Sequence, residues 1–159
     1  MRLRQILAGA TLTLGLVSAI AVAPAQAARS ALPPDPEDEW NYATPGSPPS
    51  DLICATHKQD NVNAKGCLRL YGDQWWSVNV RGEHMYIVWQ NKLWNGASWV
   101  LYREGTCFND LGTGRWGVCN KDYYENSSVN AYGYKGSELI FQVCSALGCS
   151  APVRESNRQ

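Results

Sequence analysis

Six cysteines, two histidines and seven tryptophans carry most of the chemical potential of this 159-residue chain. The cysteines stand at 54, 67, 107, 119, 144 and 149. Such a set serves either metal ligation or disulfide formation. A structural zinc site wants cysteines roughly two to four residues apart, repeated or matched with histidines. Only Cys144 and Cys149 approach that spacing, and His57 and His84 are isolated. No metal and no cofactor is therefore expected. An even count favours three disulfides, and spacing favours neighbours: Cys54 with Cys67, Cys107 with Cys119, Cys144 with Cys149. Each pair brackets turn-forming residues, so all three bridges are expected to span hairpins. Loops of this size are stabilised by about 2–4 kcal/mol each on the chain-entropy account.

Catalytic groupings are sparse. No serine lies in a Gly-x-Ser-x-Gly elbow. An acid–base set of His57, Glu83 and His84 is conceivable, but Arg81-Gly82-Glu83-His84 has the composition of a turn, where polar residues belong anyway. No spacing nominates a pair of carboxylates for glycoside cleavage. Gly112-Thr113-Gly114 lacks the lysine and hydroxyl residue of a phosphate loop. A small secreted hydrolase is accordingly the third-ranked reading.

The indoles say more. Seven in a domain this small exceed the needs of one core, and an exposed indole with amide neighbours stacks on a sugar or anchors a protein partner. Trp94 and Trp99 flank Asn95-Gly96-Ala97-Ser98. They oppose one another if all four residues form the loop, and are separated if Asn95-Gly96 alone turns. Trp75 shares strand parity with Ser77 and Asn79, whereas Trp76 shares it with Val78 and Val80, which nominates Trp75 for an exposed face. Trp116 follows Arg115 inside the Cys107–Cys119 segment. The candidate binding residues are thus Trp75, Trp94, Trp99, Arg115 and Trp116. The leading reading is a secreted, non-catalytic binding module directed at a glycan or the cell wall. The alternative is a protease inhibitor or other protein-directed effector that presents residues 108–118 as a closed loop, with Arg115 as its specificity side chain.

The elements that must position these residues begin after a leader. Arg2 and Arg4, the uncharged stretch from Ile6 to Val22 and Ala25-Gln26-Ala27 have the layout of a secretory signal peptide over 1–27, cleaved before Ala28. Retention as a membrane anchor is disfavoured by Gly9, Gly15, Thr11, Thr13 and Pro24, and no second apolar run is long enough to span. The expected location is extracellular, with no membrane association after cleavage. The whole chain has 14 basic and 14 acidic residues; without Arg2 and Arg4, 12 basic residues face 14 acidic ones, a net of −2. That balance argues against binding nucleic acid through phosphate neutralisation.

Residues 28–50 hold six of the eight prolines, interleaved with Asp35, Glu37, Asp38 and Glu39. They predict an acidic, partly extended and largely disordered leader that cannot be a helix or a central strand. Trp40 and Tyr42 are expected to pin this leader onto the domain rather than to meet a ligand. From 51 to 155, short runs of β-formers alternate with turn residues at Gly66, Gly72-Asp73, Arg81-Gly82, Asn95-Gly96, Gly112–Gly114 and Gly148. Met85 to Trp89 is apolar at every position and predicts a central strand covered on both faces. Seven or eight strands predict an all-β, disulfide-stapled domain, a small antiparallel sandwich or barrel, followed by a disordered tail over 156–159.

The stretch Cys119-Asn120-Lys121-Asp122-Tyr123-Tyr124 and the pair Cys144-x4-Cys149-Ser150 resemble small secreted cysteine-containing proteins of actinomycete bacteria. The resemblance spans residues 54–150. It implies export and a β-fold, and carries no activity.

Overall fold

Strict alternation along Met85-Tyr-Ile-Val-Trp-Gln-Asn-Lys-Leu-Trp94 sets the centre of the fold: Met85, Ile87, Trp89, Asn91 and Leu93 are buried, and the residues between them face the other way. The computed structural model describes residues 36–59, 62–80 and 84–158, all within the compact unit Ala31–Gln159. These residues contain eleven strands and no helix: β1 (Glu37–Tyr42), β2 (Thr44–Pro45), β3 (Ile53–Gln59), β4 (Val62–Arg69), β5 (Gln74–Asn79), β6 (Met85–Trp94), β7 (Trp99–Asn109), β8 (Trp116–Asn120), β9 (Ser137–Ser145), β10 (Gly148–Cys149) and β11 (Val153–Ser156). The expected signal peptide, residues 28–35 of the leader, and Arg81-Gly82-Glu83 lie outside the described residues.

The strands form two sheets. The front sheet has the order β1-β7-β6-β9-β10, with β11 also on β9; the back sheet has the order β2-β8-β5-β4-β3. Every pairing is antiparallel except that of β1 with β7, which is parallel from Glu37↔Arg103 to Tyr42↔Phe108. The sheets pack face to face around Leu68 and Trp75 of the back sheet and Ile87, Trp89, Leu139, Phe141 and Val143 of the front one. The all-β sandwich read from the sequence is therefore what forms. A bulge at Asn91/Lys92 shifts the β6–β7 register and leaves Trp94 directly opposite Trp99.

All three neighbouring cysteine pairs are bridged. Cys54–Cys67 and Cys144–Cys149 link directly opposed residues of β3/β4 and β9/β10, as expected of hairpins. Cys107–Cys119 does not: it joins β7 of the front sheet to β8 of the back sheet, with Cα atoms 6.2 Å apart. Spacing could not separate these cases, because segment 108–118 changes sheets instead of folding back on β7.

The expectation for the leader also needs correction over its described part. Residues 37–45 form β1 and β2, and the chain passes from the front to the back sheet at Ala43, whose amide donates to Phe108 O at 2.7 Å. Proline restricted this block to an edge, and both strands do lie at sheet edges. The folded body thus begins before residue 51. It also runs past 155: Ser156 pairs with Glu138, and the buried side chain of Asn157 donates to Tyr124 O at 3.0 Å and Asp73 Oδ1 at 3.2 Å, so these two residues are not a loose tail.

Candidate binding site

The positions of β6 and β7 that alternate away from the core form rows across the front sheet. Register places Tyr42, Phe108 and Tyr86 in one row, Trp40, Thr106, Val88 and Gln142 in the next, and Asp38, Glu104, Gln90 and Ile140 in a third. Phe108 is the hub, with ring centroids 5.4 Å from Trp40, 5.4 Å from Tyr42 and 5.7 Å from Tyr86. Aromatic neighbours at these separations attract one another. Even so, Trp40 remains 67% and Tyr42 70% exposed, and Val88 is exposed beside them. Polar groups adjoin the rings: Gln90 Nε2 donates to Glu104 Oε2 at 3.1 Å, and Trp40 Nε1 to Asp38 Oδ2 at 3.1 Å. A shallow depression of about 150 Å³ lies between Val88, Gln90, Ile140 and Gln142. The second sheet covers the inner face of β6 only, so the expected cover on both faces is absent from its outer one.

The opposite side of β1 holds this edge of the face in place. Glu39 accepts from Arg103 Nε at 2.6 Å, and its other oxygen meets the ammonium of Lys121, which also contacts Asn41 Oδ1. The Lys121 side chain is 3% exposed, with its nitrogen 4.8 Å from the Trp89 ring centroid. Arg103 lies 5.2 Å from the centre of the Tyr123 ring and donates to Asp122 O at 2.6 Å. Burial alone would raise the Glu39 pKa, but the hydrogen bonds and charges of Lys121 and Arg103 outweigh it and hold the carboxyl below its ordinary range. Burial pushes the Tyr123 phenol well above its ordinary range. The leader is therefore pinned by its ladder and by Glu39, while Trp40 and Tyr42, the expected pins, rest on Phe108 and face outward.

The five candidate residues do not form one site. Trp75 is fully buried, and its Nε1 donates to Tyr123 Oη at 2.8 Å. Its parity with Ser77 and Asn79 misled because those polar residues are themselves buried on the inner face, while Trp76 and Val78 lie on the outer one. Trp94 and Trp99 do meet, edge to face at 5.7 Å, because all four residues between them form the loop: Asn95 Oδ1 accepts from Ala97 N and Ser98 N. They sit at the opposite end of β6 from Tyr86, and Trp99 is 39% exposed. Arg115 is exposed on the loop between β7 and β8. Trp116 is half-buried in a cluster with Cys67, Trp76 and Val118 on the outer side of the back sheet.

Sequence reasoning passed over Tyr86, placed Phe108 in the Cys107–Cys119 loop where the structure has it in β7, and made Trp40 and Tyr42 pins of the leader, a role their stacking on Phe108 fills while leaving them exposed. The signal was present in Met85–Trp89: a strand apolar on both faces needs two covers, and a two-layer fold supplies one. Of the acid–base set, Glu83 lies outside the described residues, while His84 pairs with Asp110 at 2.9 Å and His57 belongs to the edge strand β3. A cleft of about 380 Å³ between Tyr102, Arg103, Asp122, Tyr124 and Glu125 lies over the ion cluster. No group of three His, Cys, Asp or Glu suited to a metal occurs among the described residues. Comparison with protein-family models, curated proteins and solved structures returned no match to this chain.

Proposed function

We propose that this protein is an exported, non-catalytic binding module that takes polysaccharide on the outer face of the front sheet. The observation that carries the reading is the cluster of Trp40, Tyr42 and Tyr86 around Phe108, with its two largest outer rings about two-thirds exposed. Aromatic rings offer an apolar surface to the C–H faces of sugars, and the carboxylates and amides of Asp38, Glu104, Gln90 and Gln142 supply partners for hydroxyls. Along β1, β7, β6 and β9 the three rows contain no lysine or arginine, and Arg154, which continues the third row opposite Ile140, is paired with Glu138 at 2.7 Å, which favours uncharged glycans over phosphate polymers. Three disulfides suit an oxidising compartment, in agreement with the signal-like first 27 residues.

Titration of the oxidised protein with soluble chitin, cellulose and peptidoglycan fragments, followed by tryptophan fluorescence, tests this reading. Saturable binding to one of them is expected, lost in the Trp40→Ala/Tyr42→Ala double variant and kept in Trp99→Ala. A double variant that binds like the wild type would falsify the assignment of the face.

The protein-directed alternative has one observation in its favour. Asn109 braces the base of the exposed loop by donating to Ser77 O at 2.8 Å and Arg115 O at 3.2 Å and accepting from Leu111 N at 3.1 Å. Preordering of this kind lowers the cost of docking. Inhibition of a trypsin-like protease, abolished by Arg115→Ala, is its test.

A further inference from the structure

The first cysteine in the chain is Cys54. No disulfide therefore ties down residues 37–46, although this segment supplies two of the four rings in the binding face. Its large apolar side chains contribute little burial, because Trp40 and Tyr42 point outward and only Ala43 is buried. What holds it is a six-residue parallel edge ladder, the short β2–β8 ladder, the stacking of Trp40 and Tyr42 on Phe108 and the Glu39 ion cluster. Local opening draws on regions with few buried apolar contacts, and this segment has that character while the bridged body does not.

The body is shaped to receive it. A Cβ on Gly105 would lie 2.2 Å from Glu39 O and 2.9 Å from the Trp89 ring, and a Cβ on Gly117 would lie 2.7 Å from Ala43 Cβ. Both glycines are buried in strands, where glycine weakens the element unless another backbone approaches closely. The close approach here is that of residues 37–46. Undocking would also break the contacts of Lys121 with Glu39 and Asn41. The segment is thus held mainly by backbone ladders, polar grip and shape.

We propose that residues 37–46 form a detachable strap, seated on Gly105 and gripped through Glu39, whose docking completes the polysaccharide-binding face and so sets its affinity. The strap equilibrium stands on the structure alone; the link to affinity rests on the binding reading above. When only the docked state is competent, the apparent affinity falls in proportion to the docked fraction. Glu39 is a positioning residue, since it faces away from the ligand and acts through the strand that carries Trp40 and Tyr42. The charged and titratable groups around it are Lys121, Arg103 and Tyr123, with Glu37 at 4.0 Å from Arg103.

Hydrogen exchange on the oxidised full-length chain, read peptide by peptide, tests the strap directly. Amides of residues 37–45 in the wild type should exchange faster than those of β6 and β9. Glu39→Gln and Gly105→Ala should each speed strap exchange about tenfold or more while β6 and β9 keep their protection. Where chitin, cellulose or peptidoglycan fragments bind, both variants should raise Kd by the factor by which the docked fraction falls, and saturating fragment should slow strap exchange in the wild type. Strap amides that open only together with β6 and β9 overturn the proposal. So do variants that undock the strap, by exchange, yet leave Kd unchanged. If no fragment binds the wild type, the binding reading falls, and separable or global opening of the strap still decides whether it detaches.

Discussion

The outer faces of the two sheets begin from the same problem and meet different solutions. In the back sheet, Trp76 and Val78 of β5 and Val118 of β8 point away from the core. The connection from β2 to β3 joins the two edges of that sheet, bringing Gly46 against the Trp76 ring and Leu52 into the cluster, with Asp51 paired to Arg69 at 3.2 Å. Trp76 is left 6% exposed. In the front sheet, Tyr86, Val88 and Phe108 also point outward, and β1 adds Trp40 and Tyr42 to that apolar surface instead of covering it. Apolar side chains on the outside of a sandwich are not in themselves a sign of function. The proposed binding role rests on a face that the chain could cover and to which it instead adds rings.

The comparison is sharpened most by truncating the covered face. Trp76→Ala should lower unfolding free energy by about 3–5 kcal/mol in a denaturant titration and change polysaccharide affinity far less than substitutions on the open face. Gly46→Ala, whose new methyl would lie 2.9 Å from the Trp76 ring, should cost about 1–3 kcal/mol by lifting the cover. On the open face the pattern reverses. Trp40→Ala/Tyr42→Ala should weaken binding at least tenfold, about 1.4 kcal/mol, while thermal stability stays within about 0.5 kcal/mol of wild type per site.

Acid should act on the open face through its support. The Glu39 pKa is lowered on folding, so its contribution is complete above the ordinary value of 4.5 and is lost as pH falls through the lowered folded value. Strap exchange in the wild type should approach that of Glu39→Gln at the acid end, and differ from it most near neutrality. The smallest effect belongs to Arg115→Ala. This exposed loop substitution should change stability by less than about 0.5 kcal/mol and leave glycan binding unaltered.

Much of this was legible in the sequence. Neighbouring cysteines bridge, Met85–Trp89 is central, and Gly72-Asp73, Asn95-Gly96 and Gly112–Gly114 fall between strands, although Gly66, expected in a turn, lies inside β4 opposite Ala55 and Ser77. What the sequence hid was long-range. Periodicity assigns a residue to one side of a strand but does not say which side a second layer will cover, so it points Trp75 to an exposed face that the structure buries. The Cys107–Cys119 spacing is that of a hairpin, yet a chain that changes sheets can hold the same spacing. The parallel pairing of β1 with β7 has no local signature, and the grip of Glu39 on Lys121 depends on that pairing. The sequence allows two loop geometries between Trp94 and Trp99, and Asn95, which accepts from two amides of its own loop, decides between them.

The parallel pairing also fixes an order of events during synthesis. Glu37 pairs with Arg103, 66 positions later, and β2 pairs with β8, whose Val118 lies opposite Thr44. A chain made from its N-terminus therefore produces its first described strands well before their partners exist, whereas the β3–β4 hairpin can close at once. These two strands must wait for β7 and β8 before they can find their places. Until they do, β7 is the unfinished edge of the front sheet, and Lys121 lacks Glu39 and Asn41.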